Sequence, residues 1–133
     1  MQQEYIIDGR RTVSLSAFFE EFENVALDTT WGRNLDAFND VLRGGFGTPD
    51  DGFTLRWTHS AEARKSLGYP ETIRQLQFRL EKCHPDNRAH VRSDLERAIG
   101  GVGPTVFDWL IEIFAIHGPG GREDQDNVRL VLE

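Results

Sequence analysis

Three short strand-like segments, widely separated in the sequence, restrict the folds that this chain can adopt. Residues 5–7 are apolar and end at a turn, residues 53–57 alternate apolar with polar side chains, and residues 128–132 are mainly apolar. Helical patterns separate each successive pair, and strands joined through helices pair in parallel by right-handed crossovers. At 133 residues the chain has the size of one domain. The sequence therefore predicts a single small α/β domain with parallel strands.

Apolar residues at helical spacing predict the helices between these strands. The clearest helix repeats apolar residues at positions i, i+3, i+4 and i+7 of one face, namely Leu15, Phe18, Phe19 and Phe22. Asn34 is expected to cap a short helix that ends at a glycine-rich turn, and Thr105 is expected to cap the most apolar helix. Further helices are predicted at about residues 60–67, 70–83 and 87–99.

The charge of the chain argues against binding to nucleic acid. It carries 15 Lys and Arg against 22 Asp and Glu, a net charge of −7, whereas nucleic-acid-binding domains usually present a basic face. Complementary charge instead favours encounters with basic proteins. On composition alone, the simpler explanation is favoured, namely that the negative charge only keeps a cytoplasmic protein soluble.

Cysteine usage and hydropathy indicate the compartment. Cys83 is the single cysteine and cannot form an internal disulfide, and no signal sequence is recognisable near the start of the chain. No run of residues approaches the roughly 18 apolar positions of a membrane span. We therefore expect a cytoplasmic protein that does not insert into a membrane.

Two carboxylates on the short helix after Asn34 are electrostatically unusual. Asp36 and Asp40 are four residues apart and therefore lie on one face. Like charges at this spacing destabilise an isolated helix by about 0.2–0.5 kcal/mol, and an anion in the last turn opposes the helix dipole by a similar amount. Helix stability alone does not explain why Asp40 is there.

Other kinds of chemistry are poorly supported by the residue pattern. The histidines and Cys83 lack a spacing that would bring metal ligands together. The glycine-rich runs RGGFG and GPGGR each follow a helix, so they do not have the form of a phosphate loop. Asp36 and Asp40 could act as acid and base in a hydrolase, but no apolar pocket is indicated around them. The alternative is a solvated helix face on which Arg43 screens Asp40. From periodicity alone we favour this solvated face, and we expect no cofactor, no metal and no small-molecule substrate.

Five motifs occur in an order that is informative as a set. They are YIIDG, WGRNLDAFNDVLRGG, FTLRW, an apolar helix ending in HG, and the final VRLVLE. In this order they resemble the barstar family of inhibitors of bacterial guanine-specific ribonucleases, over about residues 5–57 and 105–132. The most specific part is the pattern GxNLDAxxDxL. The resemblance implies a three-stranded parallel sheet flanked by helices, and no enzymatic activity. The extra helices that we expect between the second strand and the last helix are an addition to this family pattern.

The resemblance also implies a function and a binding surface. In that family the helix that matches residues 34–42, with the loop before it, plugs the ribonuclease active site. Asp40 corresponds to the carboxylate that takes the place of the RNA phosphate, and Asp36 to a second carboxylate paired with a basic residue. Further interface positions match Thr30, Trp31, Asn34, Asn39, Arg43 and Gly44, and Glu112 matches a peripheral acidic contact. The expected partner is a basic extracellular ribonuclease, bound in a 1:1 complex.

Two features depart from the family pattern. Thr30, Asn39 and Gly45 stand where family members often carry aromatic residues, which are common anchors in interfaces. The segment 69–103 has no counterpart in the shortest members, so we interpret it as a helical insertion that covers a sheet edge or forms a second contact surface. The alternative function is therefore a protein–protein interaction module of this fold that no longer inhibits a ribonuclease.

Overall fold

In the computed structural model, which describes residues 3–133, helices separate the three strands in the predicted order. The elements are β1 (Gln3–Asp8), α1 (Leu15–Ala26), α2 (Leu35–Val41), β2 (Phe53–Thr58), α3 (Ser60–Ser66), α4 (Tyr69–Lys82), α5 (Arg88–Ile99), α6 (Val106–His117) and β3 (Val128–Leu132). Among these residues, the helices are either too short or too polar to cross a bilayer. The α/β class is confirmed.

The three strands form one sheet in which β2 lies between β1 and β3, and both pairings are parallel. The alternation in β2 directs Phe53, Leu55 and Trp57 into the core, where each is at most 1% exposed. The opposite face aligns Ile6, Arg56 and Val131 across the three strands. Ile6 is 55% and Val131 36% exposed, so this face of the sheet is open to solvent.

Aromatic side chains fill the core between the sheet and the helices. Phe18 on α1 is fully buried. Its ring lies 5.0 Å from that of Trp57 on β2 and 5.5 Å from that of Phe38 on α2. Rings at such separations in tilted or edge-to-face arrangements add stabilisation beyond their buried area. The ring cluster therefore fixes α1 and α2 against the sheet.

Helix α4 is attached to α1 and to the start of α6 by hydrogen bonds. The Thr72 hydroxyl accepts from the Val106 backbone N–H at 2.8 Å, and the Tyr69 hydroxyl donates to the Gly103 carbonyl at 2.7 Å. Thr72 thereby satisfies a donor at the N-terminus of α6 that has no partner within that helix. Helix α4, which also packs against α5, is thus joined to the start of α6.

A buried carboxylate makes the contact between α4 and α1. Glu71 is 7% exposed, and its Oε2 accepts a hydrogen bond from the Leu15 backbone N–H at 2.8 Å. Burial raises the pKa of Glu71, but hydrogen bonds from Arg74, Leu15 and Gln75 outweigh that effect and lower it overall. The negative charge also lies at the positive end of the α1 dipole, which favours it.

Replacing Glu71 by alanine is expected to destabilise the fold by about 2–4 kcal/mol, because a buried donor on Leu15 loses its charged acceptor. Because the pKa of Glu71 is lower in the folded than in the unfolded state, the ionised side chain stabilises the fold fully at pH values above its unfolded pKa, near 4.3. This stabilisation is lost as the pH falls through the folded pKa. Urea unfolding at pH 7 and at pH 3.5 measures both effects. Glu81→Ala, at an exposed position on the same helix, is the control. A Glu71→Gln variant that loses as much stability on acidification as the wild type would contradict the assignment.

Candidate functional site

Helix α2 carries the predicted site, and local structure fixes both of its ends. Asn34 Oδ1 accepts a hydrogen bond from the Ala37 backbone N–H at 2.8 Å, which satisfies one of the free donors at the start of the helix. After the helix the chain turns through Gly44, whose φ is 110°, a left-handed conformation that glycine adopts without strain. The predicted cap at Asn34 and the predicted stop at the glycines are both confirmed.

The inner face of α2 is anchored in the aromatic core. Phe38 and Val41 are fully buried. The Phe38 ring lies 5.1 Å from the ring of Phe22 and 5.4 Å from that of Phe114. A helix of seven residues is too short to be stable by itself, so these contacts determine where its outer face points.

The outer face of α2 presents the two carboxylates to solvent. Asp36 is exposed and lies in the first turn, where a negative charge is favourable with respect to the helix dipole. The Asp40 side chain is 62% exposed. Because the two residues are four apart on a helix, both lie on the same face. Neither carboxylate turns inward.

Arg43 connects Asp40 to the loop before β3. Its Nη1 lies 2.5 Å from Asp40 Oδ1, and its Nε donates to Glu123 Oε1 at 3.1 Å. The hydrogen bond from Arg43 lowers the pKa of Glu123, and the same bond raises the pKa of Arg43. The predicted screening of Asp40 by Arg43 is confirmed. Glu123, which is 80 residues away in sequence, is a partner that local spacing does not reveal.

Asn39 points inward and contacts a buried histidine. Its Oδ1 lies 2.6 Å from His117 Nε2, and the other ring nitrogen of His117 lies 2.7 Å from Asp126 Oδ2. His117 is fully buried at the end of α6. Both partners of His117 are distant from it in sequence or lie in the following loop, so its helical position alone does not predict them. Asn39 therefore ties α2 to α6 and to the following loop, and its side-chain oxygen is already occupied in the free protein.

One group within residues 3–133 has the composition of a metal site. His117, Glu123 and Asp126 bring potential ligand atoms to within 4.8 Å of one another, although their spacing in the sequence does not predict it. Here His117 contacts both carboxylates, at 2.7 Å for Asp126 and 3.5 Å for Glu123. Arg43 neutralises Glu123 from the other side. Each potential ligand in the group therefore already has a hydrogen-bond or ion-pair partner within the protein, and we assign the group a structural role.

The remaining predicted contact residues differ in their exposure. Thr30 and Glu112 are exposed, on the loop before α2 and on α6 respectively. Trp31 is half-buried, with its ring 5.1 Å from that of Phe19. Its Nε1 is buried and has no hydrogen-bond partner within residues 3–133. Trp31 therefore packs the loop against the core, while part of its side chain stays exposed.

A family model described as barstar (barnase inhibitor) matches residues 2–93 of the chain. The chain belongs to the barstar family. The matched range includes α2 with Asp36 and Asp40, and it continues through α3 and α4 into α5. No curated protein matches the chain significantly.

In this barstar-family chain the sheet is completed by residues that lie beyond the matched range. Strand β3 follows residue 93 in sequence, yet it pairs with β2 in parallel register. Helix α6 also lies beyond it and supplies the buried Phe114 and His117 behind α2. The interpretation of residues 69–103 as an insertion stays a prediction, since the match runs across part of that segment.

Proposed function

We propose that the chain is a cytoplasmic inhibitor of a secreted, basic ribonuclease and binds it before export in a 1:1 complex. Helix α2 and the loop before it occlude the active site, and Asp40 mimics the RNA phosphate. The observation that carries the proposal is the position of Asp40. It is 62% exposed on the same face as Asp36, on a helix that is fixed from behind by Phe38 and Asn39.

The hydrogen bonds of Asp40 leave it able to act as a phosphate mimic. Arg43 contacts Oδ1, and an ionised carboxylate can accept about four hydrogen bonds over its two oxygens. Oδ2 is therefore available to guanidinium or imidazolium groups that otherwise hold a phosphate. Such charge-assisted bonds are about twice as strong as neutral ones. A rigid carboxylate that loses its water in a cationic cleft is a suitable centre for a hot spot.

The proposed role requires no chemistry from the chain itself. The exposed acidic face of α2, on a backbone that is fixed from behind, is suited to binding a partner and does not require that the chain turn over a substrate. Family membership agrees with this, because the family model is named for an inhibitor. We accordingly propose no enzymatic activity and no cofactor, and we propose neither nucleic acid nor a small molecule as the ligand.

Arg43→Gln is expected to raise the association rate with the basic partner by about two- to fivefold at low salt, because it removes a cation from the interface. The gain should shrink as salt is added, since exposed charges are then screened. Stopped-flow binding at two salt concentrations measures it. Arg92→Gln, at an exposed position on α5, is the control and should leave the rate unchanged. A slower association of Arg43→Gln would show instead that Arg43 pairs with an acidic residue of the partner.

The second candidate is an interaction module that has kept the fold and lost inhibition. It is favoured by Asn39, whose side-chain oxygen already contacts His117. It is also favoured by Thr30 and Gly45, which offer no ring where family members often carry one. Such a module would bind other proteins through the same surface and would not bind a ribonuclease active site.

Competition with a mononucleotide distinguishes the two candidates. A guanosine 3′-phosphate that occupies the ribonuclease active site should weaken binding of the chain in proportion to nucleotide saturation, because both ligands require the same cationic groups. The binding is followed by fluorescence or calorimetry at fixed ionic strength. Binding that is unaffected by saturating nucleotide, or no binding to any basic secreted ribonuclease of the same organism, would contradict active-site occlusion.

A further inference from the structure

A groove of about 680 Å³ lies between α4 and the start of α2, beside the proposed interface. Leu15 and Phe19 of α1, both buried, contribute to its base. Asp36 lines its α2 side. Asp40 is one helical turn beyond Asp36 on the same face. A partner that covers both carboxylates therefore also reaches the edge of this groove.

Helix α4 presents one side-chain stripe to the groove. Its lining residues Gln75, Phe78, Arg79 and Lys82 follow the i, i+3, i+4, i+7 spacing of a single helix face. Phe78 is 48% exposed, which leaves about half of a large apolar ring uncovered. The Lys82 ammonium lies 5.6 Å from the centre of that ring. This stripe combines an apolar contact with positive charge.

The charge of the groove is opposite to that of the chain. Its lining includes three cations, Arg33, Arg79 and Lys82, against one carboxylate, Asp36, although the net charge of the chain is −7. Arg33 is paired with Glu23 at 2.5 Å. Within residues 3–133, Arg79 and Lys82 contact aromatic rings and form no ion pair. The α4 wall is therefore electropositive, beside an α2 face that is electronegative.

Interface size requires contacts beyond α2. A seven-residue helix is about 10 Å long, whereas a stable interface buries roughly 800 Å² on each partner. The additional area must come from surfaces that adjoin α2. The groove is one such surface, and it contains an exposed aromatic ring of the kind that anchors interfaces.

We propose that the groove is a second contact site for the same ribonuclease, and that it holds an acidic loop with an apolar side chain at its tip. This inference rests on the proposed function. The ribonuclease would then place its cationic cleft over Asp36 and Asp40 and a carboxylate-bearing loop over Lys82. A partner with uniformly positive charge would be repelled by the α4 wall. The two opposite charges therefore fix the orientation of the partner.

Affinity measurements on four variants of the 133-residue chain test the proposal. Lys82→Glu should weaken binding of the ribonuclease about tenfold, and Phe78→Ser about fivefold, as expected for contacts at the edge and within an interface. The matched controls are Lys65→Glu on α3 and Ile99→Ser at the end of α5, both exposed and outside the groove lining. They should stay within about twofold of the wild type. Thermal melts verify that each variant is folded.

The outcomes separate this inference from the proposed function. If Asp40→Ala weakens binding but Lys82→Glu and Phe78→Ser do not, the groove proposal is overturned and the inhibitor proposal stands. If the wild-type chain binds no basic ribonuclease, both proposals fail. If sedimentation shows a dimer that Phe78→Ser dissociates while ribonuclease affinity is unchanged, a second copy of the chain occupies the groove and the inference is wrong.

Discussion

Replacing Asp40 by alanine is expected to weaken binding of the cognate ribonuclease by at least 2 kcal/mol, roughly a 30-fold rise in Kd. The side chain is exposed at the outer face of α2. In the complex it would be desolvated among the cationic groups that hold the RNA phosphate, so its removal leaves those groups without a counter-charge. The threshold is the general one for hot spots, a class that includes an aspartate of barstar itself. Calorimetry or surface-based kinetics measures the change.

The same substitution should hardly affect folding. Asp40 pairs with Arg43, and both side chains are more than 45% exposed, so solvent screening leaves the pair little net effect on stability. Urea unfolding of Asp40→Ala beside the wild type checks this. Asp86→Ala is the binding control, because that carboxylate is 89% exposed and lies in the turn before α5. A loss of affinity below a few tenths of a kcal/mol for Asp40→Ala would contradict the phosphate-mimic assignment.

Replacing Phe38 by alanine is expected to lower the free energy of unfolding by about 3–5 kcal/mol, the range for large aromatic residues deleted from a packed core. Phe38 is fully buried, and its ring lies within 5.5 Å of the rings of Phe18, Phe22 and Phe114. The substitution leaves a cavity between α1, α2 and α6. Equilibrium unfolding in urea, with an unchanged m-value, measures the loss.

An exposed phenylalanine provides the comparison. Phe78→Ala on α4 removes a ring that is 48% exposed and should cost less than about 1 kcal/mol. If Phe38→Ala lost as little stability as Phe78→Ala, the anchoring role of the Phe38 ring would be contradicted. Folded Phe38→Ala protein should also bind the ribonuclease more weakly than the wild type, because the backbone of α2 is then less well fixed.

Local features of the fold could be predicted from the sequence because their causes are local. The periodicity of Leu15, Phe18, Phe19 and Phe22 predicted the buried face of α1, and all four are buried. Asn34 and Thr105 accept hydrogen bonds from the first turns of their helices, as cap residues do. The parallel pairing followed from the helices between strands. Each of these inferences depends on residues within one element or on the order of elements.

The contacts that fix the site could not be predicted, because they join residues far apart in the chain. Asn39 and His117 are 78 residues apart, and Arg43 and Glu123 are 80 apart. Side chains that meet only through the tertiary fold leave no periodic signal in the sequence. The spacing of Asp36 and Asp40 predicted only that they share a helix face, and their proposed role came from the resemblance to the barstar family. The position of Asn39 against His117 required the packing of α6.

The structure also shows that Asp36 and Asp40 destabilise the free protein less than their spacing in the sequence suggests. The sequence suggests that two like charges destabilise α2. Asp36, however, lies in the first turn, where the dipole favours it, and Arg43 neutralises Asp40 while it is itself held by Glu123. The acidic face is therefore supported by its surroundings. Binding must compete with the Arg43 contact or use the second oxygen of Asp40.

Titration of the purified chain into an RNA-cleavage assay tests the proposed inhibition most directly. The enzyme is a basic secreted ribonuclease from the same organism, at a concentration above the expected Kd. Cleavage should fall linearly and reach zero at one equivalent of the chain, and Asp40→Ala should require a much larger excess. Undiminished cleavage at several equivalents of folded protein would contradict the proposal that α2 occludes a ribonuclease active site.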